Sequence, residues 1–207
     1  MTRTTKVLVG TALALTLGAG GQVALYHHSA ATTTVHASWT FNPKSTQELK
    51  NQAQSIVLVR VESVSAGPDV VTKQAAEPDG VDRIPTRRVV VDVLNSYKGS
   101  ATAGQRLTLF QTGGMMSVPA APAKGTTTAT SKEQQVVLEG DPSYLKGEQY
   151  LLMLETGPAG TLRPVSPEGR YRLDNGSGAL TAMVSNAVTR QLTAQRLTAL
   201  EPSLRTG

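Results

Sequence analysis

Cysteine is absent from the 207 residues, and the three histidines, His27, His28 and His36, all precede Ser38. A chain that sheds its first 37 residues therefore keeps neither a thiol nor an imidazole. Ser-His-Asp and Cys-His nucleophile systems cannot be assembled from such a chain, and neither can zinc sites built on His or Cys. Disulfides are excluded too, so stability has to come from core packing. Aromatics make up 4 %, and the 20 basic side chains are dispersed along the chain against 15 acidic ones. A nucleic-acid binder carries a basic stripe with interleaved aromatics, which this pattern does not offer. What is present is an ordinary apolar content of 39 %, too high for full disorder and enough for one folded domain.

The N-terminus has a leader pattern. Arg3 and Lys6 precede a charge-free stretch from Val7 to Tyr26, densest in apolar residues at Val7 to Leu17. Peptidase cleavage needs small residues one and three positions before the cut. Ser29-Ala30-Ala31 meets that need, as does Val35-His36-Ala37, which sets residues 1–37 as the signal peptide. The alternative is an uncleaved anchor, since Val7 to Tyr26 approaches bilayer-spanning length, although Gly10, Gly18, Gly20 and Gly21 make a poor span. Loss of Arg3 and Lys6 lowers the net charge from +5 to +3.

Ser45-Thr46-Gln47-Glu48 reads as a capping box and predicts a short helix from about Thr46 to Gln54. Beyond it the apolar period becomes two. Val57, Val59 and Val61, then Val89, Val91 and Val93, then Leu107 and Leu109, then Tyr150, Leu152 and Leu154 each mark one face of a strand. Shorter runs at 135–138, 161–165 and 170–174 bring the expectation to about seven strands. Asn175-Gly176 predicts a hairpin turn that folds Tyr171 to Leu173 back on 179–184. Two long connections interrupt the pattern. Ser65 to Thr86 is rich in Gly and Pro, and Gly113 to Lys132 is low in complexity and predicts a flexible insertion. Residues 186–200 are helical by composition, with a break near Thr193. The predicted class is mainly β: a small barrel or sandwich of five to seven strands over 38–185, with a short N-terminal helix and a C-terminal helix and tail over 186–207.

The order of these motifs carries a resemblance. A helix leads into Ser55-Ile56-Val57-Leu58-Val59-Arg60-Val61. Then come Val89 to Ser100 with its Tyr97-Lys98-Gly99 turn, Gly104-Gln105-Arg106-Leu107-Thr108-Leu109, and Gly147-Glu148-Gln149-Tyr150-Leu151-Leu152. From about Ser45 to Leu173 the chain resembles secreted bacterial domains related to the N-terminal barrel of the tissue inhibitors of metalloproteinases and the netrin-type module. The stretch from Arg163 to Arg172 is also similar to secreted actinobacterial proteins. The resemblance implies an OB-like five-stranded barrel. It does not carry over inhibition, because those inhibitors chelate the protease zinc through an amino-terminal cysteine that this chain lacks.

The remaining chemistry is sparse. Ser143-Tyr144-Leu145-Lys146 matches the Ser-x-x-Lys string of penicillin-binding enzymes, but its companion motifs are missing and Pro142 and Gly147 bracket it as a turn. Glu77, Asp79 and Asp82 offer oxygen ligands without the EF-hand spacing, so a solvated acidic loop is the reading there. Asp174-Asn175-Gly176 is a turn before it is a cation site. No catalytic residue, metal ligand or cofactor is assigned. Trp39 and Phe41 are expected to pack on the barrel. The most distinctive polar stretch is Glu168-Gly169-Arg170-Tyr171-Arg172. On a strand, Arg170 and Arg172 share a face and can present guanidiniums to a carboxylate or phosphate of a partner, or pair with Glu168, Glu155 or Asp174. The sequence therefore predicts a secreted, non-enzymatic binding domain. Its partner-binding residues are Glu168, Arg170 and Arg172, its partner is a protein or envelope component, and it binds no nucleic acid. Membrane contact is expected only if the leader stays attached. A secreted hydrolase and a membrane-tethered structural protein are the alternatives.

Overall fold

The valine alternation builds the centre of the molecule. The computed structural model describes residues 31–35, 41–73, 81–120, 130–157 and 160–205. Within these the elements run β1 (Ala31–Val35), α1 (Thr46–Gln52), β2 (Ser55–Ala66), β3 (Val70–Lys73), β4 (Val81–Ile84), β5 (Thr86–Lys98), β6 (Arg106–Ala120) and β7 (Thr130–Leu138). There follow β8 (Gln149–Thr156), β9 (Leu162–Pro164), β10 (Arg170–Leu173), β11 (Leu180–Ala182) and α2 (Leu197–Leu204). The chain is mainly β, with a short helix before the strands and another after them.

Nine strands form one sheet in the order β1-β7-β6-β5-β2-β8-β10-β11, with β9 bridging β6 and β8. That bridge closes β6, β5, β2, β8 and β9 into a ring. The ring is filled from within by Val57, Val59, Val61, Val89, Val91, Val93, Leu109, Tyr150, Leu152 and Leu154, all buried. The opposite face of β8 and the start of that of β2 are covered as well: Ile56, Leu151 and Met153 pack under Leu49 of α1 and Leu197, Leu200 and Leu204 of α2, whereas Arg60 and Glu62 further along β2 reach solvent. Fully burying one such apolar side chain contributes about 1.5–3 kcal/mol.

Local signals hold with shifts. Ser45 Oγ accepts from Glu48 N at 3.1 Å, but the Glu48 carboxylate takes the Lys44 N–H at 2.7 Å, one residue earlier than a reciprocal box requires. Tyr171 to Leu173 pair with Leu180 to Ala182, through a turn in which Asp174 Oδ1 accepts from Gly176 N, Ser177 N and Ser177 Oγ. The tail departs from the helix expected over 186–200, because α-helix forms there only at Leu197–Leu204. A 3-10 turn at Thr189–Gln191 and a left-handed Ala194 at φ 65° precede it.

The long connections differ from expectation. Val70–Lys73 pairs with Val81–Ile84 as a hairpin. Gly113–Ala120 and Thr130–Lys132, expected as part of a flexible insertion, are strand: β6 pairs with β5 up to Thr112, then with β7 from Gly113 onward. The change of partner is made at Gly113, whose φ of 102° suits glycine and where a Cβ would lie 2.8 Å from Val136 O. Small residues thus mark a corner here rather than disorder. The leader residues 1–30, His36, Trp39, Glu77 and Asp79 lie outside the described residues. Phe41 is described and packs on the helix-side core.

Candidate functional site

At one end of the ring the inward row turns polar. Val89 and Leu109 are cross-strand partners inside the core, and the next inward pair along the same ladder is Arg87 opposite Gln111. On β10, Arg170 stands beside Leu152 of β8 and points to the same face. β9 meets β6 at Leu109↔Leu162. Past that point Phe110–Thr112 of β6, Asp141 and Tyr144 of the loop before β8, and Pro164, Ser166 and Arg170 line one chamber.

Three strands hold this loop. Gln111 Nε2 donates to the Asp141 carbonyl at 3.3 Å and the Pro142 carbonyl at 3.0 Å. Arg170 Nη2 donates to the Pro142 carbonyl, and Arg87 Nη1 donates to Ser143 Oγ. The Arg170 guanidinium is 1 % exposed, with Nη1 2.8 Å from Asp141 Oδ1 and its carbon 4.3 Å from the centroid of the Tyr144 ring. Tyr144 in turn packs edge-on against Tyr150, with centroids 5.1 Å apart. Burial pushes the Asp141 carboxyl above the usual carboxylate range, and the charges of Arg170 and Arg87 oppose that rise. Burial likewise raises the Tyr144 hydroxyl.

The arrangement leaves polar capacity unspent around a chamber of about 70 Å³, lined among others by Gln111, Asp141, Tyr144, Ser166 and Arg170. Among the described residues Ser166 Oγ is fully buried without a hydrogen-bond partner, as are Gln111 Oε1 and Arg170 Nε, and Arg170 Nη1 meets Asp141 as a charge contact rather than an aligned hydrogen bond. Buried groups of this kind normally find partners, because an unpaired one costs about 1–3 kcal/mol. Phe110, Gln111, Thr112 and Arg163 are shared with an outer groove of about 470 Å³ that includes the half-exposed Val70. Arg163 stands at the mouth, its guanidinium paired with Glu155 at 2.9 Å and still 46 % exposed. A further cavity, lined by Ser100, Gln105, Leu107 and Leu162, includes no charged side chain.

The three residues singled out in the sequence are therefore separated. Arg170 is interior and paired with Asp141, not with Glu168, Glu155 or Asp174. Arg172 shares its face but is exposed, and it does not line the chamber. Glu168 accepts from Asn186 Nδ2 at 2.9 Å. Ser143 and Lys146 lie in the loop before β8 rather than on a helix. Arg87, Gln111, Asp141, Arg163 and Ser166 escaped the sequence reading. The available signal was the polar residue continuing an apolar alternation: Arg87 before Val89-Val91-Val93, and Gln111 after Leu107-Leu109.

Among the described residues no cluster of acidic side chains is disposed to hold a metal ion, and no helix is long and apolar enough to cross a membrane. No family model, curated protein or solved structure matches the chain.

Proposed function

We propose that this chain is an exported, non-enzymatic binding domain on an OB-like frame, and that it takes a carboxylate of a protein or envelope partner into the chamber beneath Arg163. The single observation that carries the reading is the fully buried Arg170, whose Nε has no partner among the described residues, lining the same chamber as the orphaned Ser166 hydroxyl. Hydrogen bonds to a charged acceptor are worth more than neutral ones, so a carboxylate is the group that repays these donors best. The local charge is balanced, with Arg87, Arg163 and Arg170 against Asp69, Asp141 and Glu155 around the chamber and its mouth, so the reading rests on the buried donors rather than on net charge. Phe110 and Val70 supply an apolar wall for whatever bears the carboxylate. The leader pattern supports export.

Against a Ser-Lys enzyme, Ser143 Oγ is engaged by Arg87, and Lys146 has no helical turn to bring it to that oxygen. The test is capture from the producer's envelope and culture fluid, with the chain and its Arg163→Ala variant as baits. A species held by the parent, lost by the variant and displaced by acetate supports the proposal. Retention indifferent to both Arg163 and acetate, or turnover of acyl reporters that is lost on Ser143→Ala, defeats it.

A further inference from the structure

β1 lies inside the segment that the sequence assigns to the leader. Ala31–Val35 runs parallel to β7, with pairs from Ala31↔Gln134 to Val35↔Leu138, and Gln134 Nε2 donates to Thr33 Oγ1. Without β1, this side of β7 is the edge of the sheet.

Edge strands invite pairing with other chains unless charge, proline or a covering element blunts them. β7 divides into two parts on this criterion. Its first part carries Lys132 and Glu133, while Gln134-Gln135-Val136-Val137-Leu138 has no charge and no proline. β1 covers the uncharged part and stops there. Its own sequence, Ala-Thr-Thr-Thr-Val, is β-branched at four of five positions and uncharged, as a covering strand should be.

Two cuts satisfy the small-residue rule, and they have opposite consequences. A cut after Ala37 removes β1 and bares five uncharged edge residues. A cut after Ala31 keeps Thr32 to Val35 paired with Gln135 to Leu138. We infer that the leader is cleaved after Ala31, so that the mature chain begins at Thr32 and its first residues form the strand that seals the β7 edge. This inference rests on the export reading and is independent of the ligand chamber.

The experiment is expression of the full chain in an exporting host, followed by intact-mass measurement and N-terminal sequencing of the released protein. A terminus at Thr32 is the expected result, with release and terminus unchanged by Ala37→Lys and processing to Thr32 lost in Ala31→Lys. A terminus at Ser38, six residues later, overturns the inference and leaves export standing. A retained leader on cell-bound protein overturns both.

Discussion

Arg170 Nη1 lies 2.8 Å from Asp141 Oδ1, with the two side chains 1 % and 12 % exposed. A pair so far from water is costly to break from one side only, because the survivor is left as an uncompensated buried charge. Arg170→Met is therefore expected to lower unfolding stability by about 3–5 kcal/mol, read as a fall in the urea midpoint. The double variant Arg170→Met/Asp141→Asn removes both charges and recovers a substantial part of the loss. Equal losses in the single and double variants would show that packing, not charge, governs this position.

Ser166→Ala separates stability from binding. The hydroxyl is fully buried and unpartnered among the described residues, so its removal leaves stability unchanged or raises it by about 1 kcal/mol, within the desolvation cost of an orphaned polar group. A hydrogen bond from that hydroxyl to a bound carboxylate is worth about 1.5–3 kcal/mol, so affinity falls roughly ten-fold or more. Thermal melting and isothermal titration of the same variant check the two halves.

Tyr97 links α2 to the sheet. Its hydroxyl donates to Glu201 Oε1 at 3.2 Å, and burial, reinforced by the Glu201 charge, pushes its pKa up to about 12. A raised folded-state value means that this group's contribution is fully present below its unfolded value of about 10 and is lost as pH rises through about 12. Tyr97→Phe is expected to flatten the alkaline fall in stability over that window. Tyr144, Tyr150 and Tyr171 are raised by burial as well. Absorbance titration should accordingly show these tyrosines ionising above the ordinary range, together with unfolding.

Gly99 ends β5 at a φ of 91°, and a Cβ there would lie 2.5 Å from Ser55 Oγ and 2.6 Å from Gln54 O. Gly99→Ala combines the left-handed backbone with a collision against main chain, so it should cost more than ~1 kcal/mol. Chemical denaturation measures the loss, and Gly104→Ala, where the Cβ meets nothing within 4 Å, is the control for the backbone component alone.

The two-residue alternation made the ring legible in the sequence. Val57-Val59-Val61 and Val89-Val91-Val93 are its interior, and the Tyr97-Lys98-Gly99 turn also falls where local chemistry puts it, whereas helical composition over 186–200 yields α-helix only from Leu197. Gly113 and Gly114 misled, because glycine serves a strand corner as readily as a loop, and composition does not distinguish them. The site was less legible for a different reason. Arg170 meets partners 28 and 29 residues away, and Arg87 meets Ser143 across 56 residues, so no local spacing announces the cluster. Arg170 and Arg172 do share a strand face. Which of them is interior depends on the Asp141–Tyr144 loop, and that depends on tertiary closure.

The measurement closest to the central claim is an amide NMR titration of the intact chain with acetate, run in parallel on Ser166→Ala. Saturable shifts confined to Phe110–Thr112, Asp141–Tyr144 and Arg163–Arg170 are expected, much weakened in the variant. Shifts that never saturate, that scatter over the surface, or that persist unchanged in Ser166→Ala would contradict that claim.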